Sequence, residues 1–358
     1  MQTKVNENTF DGQSIYVGID THLKSWKVTV MAGDIHYKTF SSPPNSDGLV
    51  KFLKTNFPGA GYYSAYEAGF AGFWLHRELT KLGINSIVVN PADIPTSDKE
   101  RKQKEDRRDS RKIAKTLQAG QLNGIFIPSE RVQQDRNLLR TKDSVLKDLS
   151  RNKNRIKALL YFQGIHIPER FVAHSNWSNA FIQWLRELGF EHSTGRSALD
   201  ALLTMVHHQR SLLLKITRQI RDLSRTPDYC DNVDLLVSVP GIGVLTAMKL
   251  LTELESIERF KTFTQLCSYV GLIPSTNSSG ENEVTSGITP RRNLRLRTAL
   301  VESSWIAIRN DPALLSSYQR LSKRMPGNRA IIRIARKLLN RMVHVLRQKE
   351  KYERGVIK

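Results

Sequence analysis

The chain has 358 residues, 55 of them Lys or Arg against 34 Asp or Glu, for a net charge of +21 at neutral pH. At roughly 100–200 residues per domain this length is two or three domains, and the 39% apolar content is enough for buried cores. So basic a surface excludes cationic partners and favours polyanions, nucleic acid first. Two cysteines, Cys230 and Cys267, exclude a disulfide scaffold or a Cys-based zinc module and suit a reducing cytoplasm.

The first eight residues are polar and lack the apolar core of a signal peptide. Ser14–Asp20 then reads as a β-branched strand ending in a carboxylate. Trp26–Val30 and Ile35–Phe40 read as two more strands, joined at Ala32-Gly33-Asp34 as a hairpin. Leu49, Phe52 and Leu53 stand at helical spacing. Tyr62–Tyr66 is a fourth strand, ending at Glu67. Phe73, Leu75, Leu79 and Leu82 predict a helix closed by Gly83, and Ser86–Val89 a last strand stopped by Asn90-Pro91. The order β-β-β-α-β-α-β, with a further helix after it, is that of an RNase H-like fold. It is an analogy of fold and carries no chemistry by itself.

The acids add chemistry. Asp20 and Glu67 close two strands that neighbour each other in such a sheet. Asp106 and Asp109 stand three apart at the start of a helix and project from one face. Read singly, Asp20 is a turn residue, Glu67 a surface acid, and Asp106 and Asp109 are first-turn acids beside Arg107, Arg108 and Arg111. Read together, the four make a carboxylate cage for hard cations, Mg²⁺ (or Mn²⁺), the usual device for attack on phosphodiesters.

From about 130 to 225 the chain reads as long helices. Leu138, Val145, Leu149, Ile156 and Leu160 step by seven and four, and Leu199, Leu202, Val206, Leu213, Ile216, Ile220 and Leu223 continue the pattern. Pro168 and an aromatic patch of Trp177, Phe181, Trp184 and Phe190 lie between. This predicts an antiparallel coiled-coil arm with a structured tip, serving dimerisation or reach across a complex. A packed bundle within one monomer fits the same spacing.

Further on, Pro240-Gly241-Ile242-Gly243 resembles a helix-hairpin-helix turn, where Gly241 and Gly243 let backbone N–H groups at a helix N-terminus approach a phosphate. Pro274 to Gly280 reads as a Ser/Asn/Gly loop able to present a hydroxyl. Over residues 285–358, Lys and Arg outnumber Asp and Glu by 18 to 4, so +14 of the total charge lies there. That clustering is the footprint of backbone binding.

Taken in order, Tyr16–Thr21, Tyr66-Glu67-Ala68, Asn90-Pro91, Asp106-x-x-Asp109, Pro240–Gly243 and Gly271-Leu272-x-Pro274 with Ser279-Gly280 resemble the insertion sequence 110 family. These are DEDD-type transposases related to the Piv/MooV DNA invertases, and the resemblance runs from about residue 14 to 345. It implies a RuvC-like (RNase H fold) DEDD domain over 14–128, a helical coiled-coil region over 129–228, and a mostly helical C-terminal transposase domain over 229–350. The family's acids fall on Asp20, Glu67, Asp106 and Asp109, which would bind Mg²⁺. Its catalytic serine falls on Ser279; spacing alone leaves Ser275, Ser278 and Ser286 open. The resemblance also implies donor and target DNA, a structured bridge RNA encoded by the element, and a homodimer assembling to a tetramer in which the acids of one protomer meet the serine of another. A bacterial cytoplasmic, nucleoid-associated protein with no membrane partner follows.

A covalent route suits this set of residues. Serine attack on a backbone phosphate conserves the bond energy in a phosphoserine link, and Arg291, Arg292 and Arg295 can clamp phosphate beside it. Three other readings use the same residues: a metal-dependent Holliday-junction resolvase or nuclease in which water attacks, a Piv-like invertase, and a non-enzymatic nucleic-acid binder.

Overall fold

The computed structural model describes residues 10–95, 106–172, 177–279, 282–288 and 292–354. The chain divides into two compact units, 1–127 and 128–358.

The first unit is built on a five-stranded sheet. β1 (Ser14–Thr21), β2 (Trp26–Ala32) and β3 (Ile35–Ser42) form an antiparallel meander. The chain then passes through α1 (Ser46–Asn56) to β4 (Gly61–Glu67), and through α2 (Trp74–Lys81) to β5 (Asn85–Val89). β4 pairs parallel to β1 and β5 parallel to β4, giving the order β3-β2-β1-β4-β5. This mixed sheet is consistent with the RNase H-like order expected from the sequence.

Side-chain alternation explains the layering. Ile15, Val17 and Ile19 of β1, with Val28, Val30, Tyr62 and Tyr66, bury against Leu49 and Leu53 of α1 and Leu75 and Leu79 of α2. The opposite face carries Ala65 and Val89, which pack with Ile113 of α3 (Asp106–Gln118) and with Leu122. Each helix begins or ends on a local signal. Asn45 accepts a hydrogen bond from the Gly48 N–H at the start of α1, and Gly83, at φ +91°, follows the end of α2. β3 is the outer strand. Its exposed, polar residues and the register shift at Val30/Met31 suit an edge.

The second unit is mostly helical. α4 (Glu130–Phe162) and α7 (Ser193–Leu223) pack along one another. Their pairing is antiparallel: Leu139 shares a core with Ile216 and Ile220, while Leu149, Ile156 and Leu160 share another with Leu199, Leu203 and Val206. Asn152 donates to Gln209 between them at 3.0 Å. Beyond their far end, α5 (Glu169–Val172) and α6 (Asn179–Glu187) add Phe171, Phe181 and Trp184, stacked edge to face or in parallel. The heptad reading named Leu138 and Val145. The structure buries Leu139 instead and leaves those two partly covered, because this end of α4 also packs on α9.

The rest is α8 (Cys230–Val237), α9 (Val244–Leu254), α10 (Phe263–Val270), the hairpin β6 (Pro274–Ser279) and β7 (Asn282–Ile288), then α11 (Leu294–Asn310), α12 (Pro312–Ser322) and α13 (Gly327–Gln348). α13 holds the centre of this core through Ile331, Ile334, Leu338, Leu339 and Met342, all nearly or fully buried. Asp311 caps α12 and is buried. It accepts from the Leu314 N–H, from Arg341 at 2.6 Å and from the Tyr352 hydroxyl at 2.7 Å. The stretch read from sequence as a loop, Pro274 to Ser279, is a strand paired with β7.

Candidate active site

In the first unit the strand register sets the acids. Ile19 pairs with Tyr66 in the parallel β1/β4 ladder, and Asp20 and Glu67 are the next residues on each strand. Residues two apart on a strand share a face. Gly18 and Ala65 lie on the face covered by α3, so Asp20 and Glu67 project from that face at its C-terminal edge. Asp20 is about one-fifth exposed, and His22 Nε2 stands 3.2 Å from its Oδ2.

Helix α3 runs against β1. Its far end reaches the β2–β3 turn, where Gln118 donates to Asp34. That turn lies beside the start of β1, since Ile15 pairs with Ala32. The first turn of α3 therefore lies at the other end, beside Asp20 and Glu67. Two contacts fix the helix there. A Cβ on Gly18 would sit 2.1 Å from the Ser110 carbonyl oxygen and 2.4 Å from the Ala114 nitrogen, so only glycine admits α3 at this depth. Thr29, which pairs with Gly18, shares a buried 2.9 Å hydrogen bond with the Ser110 hydroxyl. Asp109, the residue before Ser110, is half-buried on α3. Asp106 is the first residue of α3, and its side chain lies outside the described ones. Among the described residues no three His, Cys, Asp or Glu side chains are arranged to hold a metal ion. The donor chemistry itself, carboxylates only, fits a hard divalent cation.

In the second unit Ser279 closes β6 and pairs with Asn282, the first residue of β7, so its backbone stands at the hairpin's turn. Ser278 pairs with Glu283 and Ser275 with Ser286. The hairpin's root is tightly held. Gly271 ends α10 at φ +84°, and a Cβ there would lie 2.3 Å from the Arg292 Cβ. The Asn293 N–H donates to the Tyr269 carbonyl at 2.8 Å, and its side chain caps α11 by accepting from Leu296. Asn293 Nδ2 also donates to Glu253 Oε2 at 2.9 Å.

Glu253 is the centre of this clamp. Its side chain is only 2% exposed, and Arg140 of α4 donates to both of its oxygens at 2.8 Å. Burial alone would raise the Glu253 pKa, but hydrogen bonds from Arg140 and Asn293 hold it below the usual carboxylate range. Neighbouring Arg136 is pushed down by burial, and its Nε donates to the Thr252 carbonyl at 2.8 Å.

The other predicted contacts divide. Gly241, at φ +86°, touches α11: a Cβ would lie 2.4 Å from the Ser303 carbonyl oxygen. This glycine is required by packing. Gly243 differs. It is exposed, has open space where a Cβ would stand, and is the N-cap of α9, with no side chain capping the helix. Arg221 and Arg225 line the same depression. Arg292 is exposed, and Arg291 lies outside the described residues. Arg295, about a third exposed, stands 2.8 Å from Asp143, which also takes Lys249 at 3.1 Å.

Comparison with known proteins decides the family. Residues 17–163 match a family model of transposases of the DEDD, IS110 type, and residues 233–319 match the transposase IS116/IS110/IS902 family. A putative transposase of Sinorhizobium fredii is 31% identical over 301 residues, covering 82% of this chain and 72% of that one. The chain belongs to the IS110 family of transposases. Such enzymes cleave and rejoin DNA. The transposase for insertion sequence element IS1533 of Leptospira borgpetersenii is 26% identical, over 82% of this chain and 85% of its own. The transposase for IS1111A of Coxiella burnetii is 25% identical, over 80% and 78%.

For this transposase, sequence reasoning missed three positioning groups: Gly18, the Thr29–Ser110 pair, and the Glu253–Arg140–Asn293 clamp. Only Gly18 left a local trace, a small residue two before the strand-end acid. Among the described residues no helix is long and apolar enough to cross a membrane.

Proposed function

We propose that this transposase exchanges DNA strands through a serine nucleophile, Ser279, assisted by a divalent metal at Asp20, Glu67, Asp106 and Asp109. The observation that carries the reading is the β1/β4 register, which sets Asp20 and Glu67 side by side at the sheet edge where α3 begins. A bound Mg²⁺ or Mn²⁺ would neutralise phosphate charge and lower the pKa of a coordinated hydroxyl.

The chain's own residues account for the rest. The Ser279 Oγ attacks a backbone phosphorus. A phosphoserine bond forms, the phosphorus–oxygen bond to one sugar breaks, the serine proton is released, and the departing sugar oxygen takes up a proton. A sugar hydroxyl of the partner strand then attacks the same phosphorus, forms the new phosphodiester and returns the serine oxygen to its hydroxyl state. No phosphodiester energy is lost in either exchange. Arg291 and Arg292 follow the hairpin in sequence and would bind phosphate there, and the open N-terminus of α9 at Gly243 offers N–H groups to another.

We read 14–128 as the acid-bearing domain, 129–228 as the helical region joining copies into a dimer and tetramer, and 229–350 as the serine-bearing domain. A structured bridge RNA encoded by the element would choose donor and target DNA; the charge of +21 supports a polyanionic guide. The test is strand cleavage by the protein expressed with its native flanking DNA, with Mg²⁺ or with chelator. Asp20→Ala and chelator should each reduce cleavage at least 10³-fold, roughly the size of losing an essential charge-stabilising group. Full cleavage by Asp20→Ala would overturn the metal site. Cleavage by Ser279→Ala at the wild-type rate would leave water as the nucleophile.

A further inference from the structure

The C-terminal unit holds a groove of about 1190 Å³, of which the reading above uses Arg292 alone. It is larger than the ~300–1,000 Å³ of ordinary small-molecule pockets. Part of its lining is apolar: Phe263 of α10, Ile273, Met325 beyond α12, and Ile332 of α13. The rest is strongly cationic. Arg292 precedes α11 and Arg297 lies near its start, and Arg329, Arg333, Arg336, Lys337 and Arg341 come from α13. Among the described residues no Asp or Glu lines it.

The α13 cations repeat at i, i+4, i+7, i+8 and i+12, one helix face. Across the helix, Ile334, Ala335, Leu338 and Leu339 are fully buried. The helix is therefore locked in rotation, and its basic stripe is fixed toward the groove. Burial and the nearby Arg292 both disfavour the charged form of Arg297, so these cations crowd one another. Arg336 lies over the Phe263 ring at 5.8 Å, joining cation and aromatic on one surface.

An apolar surface bordered by arginines fits a strand whose bases are unpaired. Phosphates take the arginines, and bases or sugars take the apolar surface. A duplex keeps its base faces stacked inside and cannot use that surface. The groove also continues into the serine hairpin: Ile273 and Pro274 line it, and Pro274 begins β6. At about 3.4 Å per residue, Ser279 lies no more than about 17 Å from that edge.

We propose that this groove binds an unpaired segment of nucleic-acid strand, with phosphates on Arg292, Arg297, Arg329 and Arg333 and bases against Phe263 and Met325. The site goes beyond the serine mechanism and stands or falls without it.

The experiment is fluorescence anisotropy of labelled 20-mers with the full chain: single-stranded DNA, single-stranded RNA, and a blunt DNA duplex of the same sequence. The variants are Arg329→Ala/Arg333→Ala, the charge-keeping Arg329→Lys/Arg333→Lys, and a charge control, Lys51→Ala/Lys54→Ala, on exposed sites of α1. The alanine pair should bind single strands at least tenfold more weakly. Its salt slope should fall by about 1.4, at ~0.7 per single-strand phosphate. The lysine pair should stay within about threefold of wild type, and the charge control should match wild type. Loss confined to DNA, or to RNA, identifies which strand occupies the groove. Equal loss on the duplex would overturn the proposal and leave a general basic patch. So would an alanine pair no weaker than the charge control. Ultraviolet cross-linking of a bromouracil oligonucleotide to the unmutated chain gives an answer independent of variant folding. Adducts at Phe263 or Met325 support the groove, and adducts only elsewhere refute it.

Discussion

The two candidate site regions are held in place by opposite means. The acids of the first unit stand at the end of strands whose positions are set by apolar burial on both faces of a sheet. Register does the aligning: Ile15, Val17 and Ile19 are fully buried, and a slip by one residue would turn them outward. The serine hairpin of the second unit is polar from Ser275 to Ser279 of β6. Its root is set by charge, through Glu253, Arg140 and Asn293. The first kind of support is insensitive to pH and sensitive to volume. The second is sensitive to pH through Glu253 and to volume at Gly271.

That contrast can be broken most forcefully at Gly18. Gly18→Val puts side-chain atoms where the backbone of α3 lies. The expected result is destabilisation at or above the ~1–3 kcal/mol of ordinary overpacking, read by chemical denaturation, with cleavage lost. A stable, active Gly18→Val protein would mean that α3 is not seated on β1.

Glu253→Gln comes next. It leaves the Arg140 charge without its carboxylate. Complete burial would make this about 3–5 kcal/mol, but Arg140 is 42% exposed, so about 2–3 kcal/mol is expected. Cleavage should fall while the first unit's packing is unchanged, as read by fluorescence of buried Trp26.

The same clamp gives a pH signature. The folded Glu253 pKa lies below its ordinary value of 4.5. Its contribution is therefore fully present above that value and is lost as pH falls through the folded one. Wild-type thermal stability should drop below about pH 4.5 more steeply than that of Glu253→Gln. Parallel curves would deny the clamp its role.

The smallest effect is Thr29→Val. It keeps the side chain's shape but removes one partner of the buried Ser110 hydroxyl, at a cost of about 1–2 kcal/mol. Denaturation midpoints should move accordingly, with no change in pH dependence.

The same division governs what the sequence discloses. The sheet was legible because β-branched residues alternate along β1 and recur in β2, because tyrosines fill β4, and because Gly33-Asp34 marks the β2–β3 turn. The long helices were legible from the seven-and-four spacing of Leu149, Ile156 and Leu160. The hairpin was not: Ser275 to Ser279 holds no apolar residue, so no period of two is visible. Its clamp was hidden for another reason. Arg140 and Glu253 stand 113 residues apart, and Glu253 and Asn293 stand 40 apart. Only the packing of α4 on α9 brings them together. The Arg295–Asp143 pair was hidden in the same way, since the two stand 152 residues apart. Gly241 shows one motif carrying two requirements, since the same residue makes a turn and admits α11.

The most direct test of the serine reading is to trap the enzyme on DNA. The protein is expressed with its native flanking DNA, denatured in detergent, digested, and searched by mass spectrometry for a nucleotide bonded to a peptide. The account predicts a phosphoserine link at Ser279, absent from Ser279→Ala and from Asp20→Ala. Cleaved DNA with no protein attached, or a link at Ser278 that persists in Ser279→Ala, would contradict it.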